Sequence, residues 1–207
     1  MNLNLTLRKW EDELGHNLTD DYWEEVLKLV HSSSICARHA VIQAKVVFRS
    51  HFTRHKLSRI YSDVPDTCLR CGLSPANHLH TFVTCPRLHS FWSGIIANIN
   101  TAYHCDVILD PCLAIFGVSP QPVSPHSLGR VLAFTTLLAR RLILMRWKDP
   151  LPPPLKCLFS ELLLDIRLEK LRFTLRGSSS AFESTWGPML RHLEVHFPPR
   201  NSDDLTQ

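Results

Sequence analysis

Between Cys68 and Cys85 the chain reads CLRCGLSPANHLHTFVTC, and no other stretch restricts its fold as tightly. Cys68 and Cys71 form a C-x2-C pair. Eight residues separate Cys71 from His80, and four separate His80 from Cys85. Three thiolates and one imidazole are donors that tetrahedral Zn²⁺ favours. Gly72 follows the pair at the point where a sharp turn needs a residue free of Cβ strain, and Pro75 and Asn77 keep the next segment turn-like. Four protein ligands would leave no open position, so such a site orders a loop and activates no water. His78 is a rival for His80 through C-x2-C-x6-H-x6-C, and His89 is a more distant one. The His-x4-Cys closure favours His80, which would leave His78 as a solvated loop residue or a phosphate contact. The alternative is that these cysteines are only small buried hydrophobes. Cys36, Cys105, Cys112 and Cys157 share no such pattern and are read as core or surface thiols.

The redox setting decides between a metal site and a disulfide framework. The cysteine count, seven, is odd. The opening MNLNLTLRKWEDELG lacks the apolar run of a secretory signal, and no stretch reaches the about 20 apolar residues needed to cross a bilayer. The longest, VLAFTTLLARRLILM, is interrupted by Arg140 and Arg141. An intracellular, reducing environment is therefore expected, where C-x2-C…H…C reads as a metal site.

Charge is unevenly spread. The formal net charge is +4, yet residues 1–25 hold seven acids against Arg8 and Lys9. Residues 26–62 hold no acid, seven lysines or arginines and four histidines; residues 111–148 are a second acid-free block. Such clustering is the footprint of a phosphate-backbone binder, or of a basic face that pairs with the acidic N-terminal segment.

Hydrophobic residues make up 44% of the 207-residue chain, enough for a core, and seven glycines beside Leu-rich runs favour helices over a β-sandwich. The expected fold is mainly α, a helical domain with a small zinc-knuckle loop inserted at 68–85. Residues 1–31 form an acidic helical segment, with DDYWEEVLKLVH as a helix capped by Thr19 or Asp20. Residues 32–104 hold a basic helix, 36–60, then the knuckle and a helix bearing Phe91, Trp92, Ile95, Ile96 and Ile99. If the basic helix is continuous, Arg38, Lys45, Arg49 and Lys56 share a face away from Ala37, Val41, Ala44 and Phe48. Residues 105–126 form a Pro-rich connector. Residues 127–176 form two helices parted by KDPLPPPL, the second turning Leu158, Leu162, Ile166, Leu168 and Leu171 inward. Residues 177–207 form a short helix and a polar tail.

In order, these features resemble the C-terminal region of reverse transcriptases from non-LTR retrotransposons, the long interspersed element type. The matching residues begin with acidic segments at Trp10 and Trp23. HAVIQAKVVFRSHFTRHKLSRI and then C-x2-C, His80-x4-Cys85, Pro86 and Phe91–Trp92 follow. Later come Asp110–Pro111 with a following FG, ARRLILMRWKDPLPPP, a run ending in Glu169, and Phe182, Trp186 and Pro188. The likeness covers nearly the whole chain. It departs at TFVT, where Phe82 is the only aromatic between histidine and the last cysteine, and near Cys157–Phe159, where a tryptophan is expected. The resemblance implies a zinc-binding domain beyond the polymerase, with ligands Cys68, Cys71, His80 and Cys85, held to bind the element's RNA or target DNA.

Catalysis is not expected. Polymerase chemistry needs carboxylates holding two metal ions. The only Asp-Asp pairs, Asp20–Asp21 and Asp203–Asp204, precede a helix or lie in the tail. A chain beginning at Met1 with this content reads as a separated fragment of a larger enzyme. The expected function is a zinc-ordered module that presents Arg38, Lys45, Arg49, Arg54, Lys56, Arg59 and Arg70 to RNA or to single-stranded or target DNA. Phe82, Phe91 or Trp92 are candidates to stack on bases or to pack the core. The polymerase domain of a parent element is a further candidate partner; a membrane and a small-molecule substrate are not expected. The alternatives are a zinc-stapled module for protein packing, with Trp10 and Trp23 as contacts or core, and a decayed copy without function.

Overall fold

The computed structural model describes residues 3–197 and is mainly helical, with no strand among the described residues. Among the described residues nine α-helices follow one another: α1 Leu3–Leu14, α2 Asp20–Ser32, α3 Ala37–Val47, α4 Arg54–Ser58, α5 His89–Tyr103, α6 Pro111–Phe116, α7 His126–Met145, α8 Leu155–Leu175 and α9 Ser179–His196. A π turn, His80–Thr84, and a 3₁₀ turn, Pro86–Leu88, sit between α4 and α5. The expected mainly α architecture is therefore the observed one. None of the described helices is long and apolar enough to cross a membrane.

Local chemistry explains the main boundaries. Thr19 caps α2, its Oγ1 accepting the Tyr22 N–H at 3.2 Å, while Asp20 and Asp21 meet the positive end of the helix dipole. Thr53 caps α4 in the same way through Lys56. Asp110 caps α6 by accepting from the Cys112 and Leu113 amides, Pro111 takes the first helical position, and Gly117 ends the helix at φ 84°.

The interior is built on α7, whose Leu128, Val131, Leu132, Leu138, Ala139 and Ile143 are buried. α8 and α9 pack on each other and on α7, α5 lies against α9, and α6 lies between α3 and α7. Phe116 at the end of α6 anchors the N-terminal helices. The rings of Trp10 and Trp23 meet it edge-on, with centroids 5.2 and 5.8 Å away, and Trp10 donates its indole N–H to the Val47 carbonyl at 2.8 Å. Arg140 joins α3, α6 and α7 from full burial, donating to the Ala114 carbonyl and to Gln43 Oε1, both at 2.6 Å. Gln43 in turn donates to the Phe116 carbonyl at 2.8 Å. Arg140 thus belongs to the core rather than to a basic surface.

Three expectations about helices are corrected. The continuous basic helix over 36–60 is two helices. Arg49 takes a left-handed conformation, φ 55°, and its amide and that of Ser50 close on the Val46 and Lys45 carbonyls, the hydrogen-bond pattern of a Schellman stop. A non-glycine residue tolerates that conformation here because Arg49 pairs with Glu13 and stacks on Trp10, its guanidinium 4.4 Å from the ring centroid. The connector 105–126 contains α6, too short to show a period yet buried along Cys112–Phe116. On α8, Leu168 and Leu171 face outward; Phe159, Leu163, Glu169 and Phe173 join Leu158, Leu162 and Ile166 in the buried face.

Because Trp10 joins α1 to α3 and α6, Trp10→Ala is expected to lower unfolding stability by about 3–5 kcal/mol, measured by denaturant titration. A loss under about 1 kcal/mol would contradict this packing role.

Candidate metal centre

Cys68 and Cys71 lie on a turn that its own backbone closes. The Cys68 N–H donates to Leu73 and its carbonyl accepts from Gly72, both at 2.8 Å, with Gly72 at φ 76°. The other two donors come from the π turn. Its i→i+5 bond, Cys85 N–H to His80 carbonyl at 3.0 Å, brings residues five apart toward one side. In a regular α-helix at 3.6 residues per turn they would point about 140° apart. Asn77 fixes the start of the turn by accepting the His80 N–H at 2.8 Å.

The result is one compact cluster. The donor atoms of Cys68, Cys71, His80 and Cys85 all lie within 4.8 Å of one another. Cys68 Sγ is 3.8 Å from Cys85 Sγ, and Cys71 Sγ is 3.2 Å from His80 Nε2. Tetrahedral geometry with metal–sulfur bonds near 2.3 Å places two sulfurs about 3.8 Å apart. The four residues therefore fit a metal ion held from all sides. No second group of three or more metal-ligating side chains occurs among the described residues.

Electrostatics favour the ligand forms of two of the four. Burial opposes the Cys68 thiolate, but the backbone N–H groups of Cys71 and Arg70 offset it and bring the pKa below the usual thiol value. Burial, with Arg70 adding to it, lowers the His80 pKa and keeps its imidazole neutral. Cys85 is shifted the other way by burial, so its thiol needs a cation to ionise.

Arg70, between the paired cysteines, turns away from solvent. Its guanidinium donates to the Thr81 carbonyl at 3.1 Å and to the Ile143 and Arg146 carbonyls, each at 3.2 Å. It thereby ties the loop to the C-terminal end of α7, where carbonyls lack helical partners and the dipole favours a cation. The π turn is buried through Phe82, whose carbonyl accepts the Trp92 indole N–H at 2.9 Å, and whose ring meets Trp147 at 5.7 Å.

The loop also holds α4. His55 Nδ1 pairs with Asp66 Oδ2 at 2.8 Å, Asp66 Oδ1 accepts the Ala76 N–H at 3.1 Å, and the His55 N–H donates to the Ala76 carbonyl at 3.2 Å. Ala76 lies midway between Cys71 and His80, so the metal loop and the basic segment share one network.

Several expected roles change on this geometry. His78 is neither solvated nor a member of the cluster. It is buried with its ring edge-on to Trp10, centroids 6.1 Å apart, and burial pulls its pKa down to about 3. Phe82, Phe91 and Trp92 are core residues and offer no face to a base. Trp10 and Trp23 are core residues too. Among the seven basic residues, Arg70 and Arg49 are engaged internally, and the Lys56 ammonium donates to the Arg49 carbonyl. Arg38, Lys45 and Arg59 are exposed, and Arg54 and Lys56 are half-buried. Phe52, inside 36–60, and Tyr61, just beyond it, are 62% and 55% exposed and were not singled out from the sequence. Their signal was present in HFTRHKLSRIY, where Phe52 and Tyr61 bracket Arg54, Lys56 and Arg59.

No family model matches this chain.

Elemental analysis of the purified chain is expected to find about one metal ion per molecule, the capacity of a single four-ligand site. His80→Ala should abolish or weaken its retention, and His78→Ala should leave it intact while lowering stability. Equal retention by the native chain and His80→Ala would exclude this ligand set.

Proposed function

We propose that the ion is Zn²⁺, that its role is structural, and that the chain is a nucleic-acid-binding module without catalysis of its own. This is the role implied by the resemblance to the region beyond the polymerase in non-LTR retrotransposon reverse transcriptases. Three thiolates and one imidazole suit zinc above harder cations, and a closed set leaves no position for a reacting water.

One observation carries the binding role. Exposed Phe52 and Tyr61 flank α4, which bears Arg54 and Lys56 and ends beside Arg59, and this segment is hydrogen-bonded to the metal loop. The Lys56 ammonium is 5.9 Å from the Phe52 ring centroid. Cations beside unpacked aromatic faces suit a single strand: the charges follow the phosphates and the rings stack on bases. RNA and single-stranded DNA share that chemistry. Arg38 and Lys45 on α3 extend the positive surface.

A second reading, a module that packs on the polymerase domain of a parent element or on another protein, is favoured by the inward turn of Arg49 and Arg70. Retention on a polyanion column at low salt separates the two, because packing alone gives no salt-dependent retention.

With a labelled single-stranded oligonucleotide, Tyr61→Ala is expected to weaken binding by about 1–3 kcal/mol. Arg59→Glu should weaken it and flatten its salt dependence. Both residues are exposed, so circular dichroism should stay native. Affinity unchanged in both variants, or native binding insensitive to salt, would rule out this surface.

A further inference from the structure

α8 is apolar on two opposite faces. One is buried against α7 and α9. The other carries Leu164, Leu168, Leu171 and Leu175, which are 61%, 58%, 58% and 79% exposed. Their spacing is four, three and four. At about 100° per residue the four side chains fall within about 60° of one another, roughly opposite Ile166, Glu169 and Phe173. Isolated exposed leucines need no explanation, but a contiguous stripe of this kind does. Alternation of four and three is the seam of a two-helix coiled coil.

The charges beside the stripe indicate what covers it. Asp165 and Arg172 flank it on one side, and Arg167 and Thr174 on the other. Both Asp165 and Arg172 are half-buried. Two copies of α8 laid parallel would oppose Arg167 with Arg172, a like-charge contact. Laid antiparallel, each Asp165 would meet Arg172 of the second copy, twice over by symmetry. Arg172 also contacts Glu169 of its own helix at 3.3 Å, a carboxylate on the buried side, so in the dimer its guanidinium would be shared between Glu169 and Asp165 of the second copy.

We propose that this face joins two copies of the chain, with the α8 helices antiparallel. Leu164 then packs on Leu175 of the second copy, and Leu168 on Leu171 of the second copy. The stripe spans about 16 Å of helix, so the contact is small and the dimer weak and concentration-dependent.

Sedimentation velocity on the full metal-bearing chain, under reducing conditions, tests this from low-micromolar to hundred-micromolar concentration. The native chain is expected to pass from monomer to dimer. Leu168→Glu should raise the midpoint concentration by about tenfold or more, as loss of a buried leucine contact implies. Asp165→Arg and Arg172→Asp should each weaken self-association alone, yet associate with one another when mixed. A monomer throughout, or a dimer unaffected by Leu168→Glu, would overturn the proposal. So would stronger self-association by Arg172→Asp alone, the mark of a parallel arrangement.

Discussion

Arg70 holds the metal loop to the helical body. Its guanidinium is buried against three carbonyls, those of Thr81, Ile143 and Arg146. A buried cation without a counter-charge is costly. Burial opposes the charged form of Arg70, while the negative charge of Cys68, Cys85, Asp149 and Cys71 favours it. Three thiolates around a divalent ion would carry one net negative charge, which Arg70 would balance. Cluster and guanidinium are thus mutually dependent, and through them the loop is fixed to the end of α7.

That dependence reaches the basic segment. Asp66 and Ala76 belong to the loop side, His55 to α4, and their hydrogen bonds hold α4 against the knuckle. At five residues α4 is far too short to persist alone, since helices below about 12 residues are marginal in water. Its position therefore depends on the loop, and the proposed strand-binding surface depends in turn on the metal. Arg49 closes the other end of the segment, where its pairing with Glu13 and stacking on Trp10 stabilise the left-handed turn.

Legibility in the sequence followed the reach of each signal. Ligand spacing is local, so Cys68, Cys71, His80 and Cys85 could be named before any coordinates, as could α2, α5, α7 and α8 from their apolar periods. The break at Arg49 was hidden because its cause, Trp10 and Glu13, lies almost forty positions away. Arg70 was read as a surface cation because sequence carries no mark of which carbonyls will lack partners. Periodicity could not tell the two apolar faces of α8 apart, so Leu168 and Leu171 were assigned to the core in place of Phe159 and Phe173. Six residues of α6 are too few to show a period at all.

Amide hydrogen exchange followed by mass spectrometry, with the metal bound and after chelation, tests most directly the claim that the metal fixes the loop and, through it, α4. Chelation is predicted to release protection across residues 54–88 while the peptides of α7, α8 and α9 keep theirs. Unchanged exchange over 54–88 would show that the cluster does not order this region, and the link from metal to binding surface would fail.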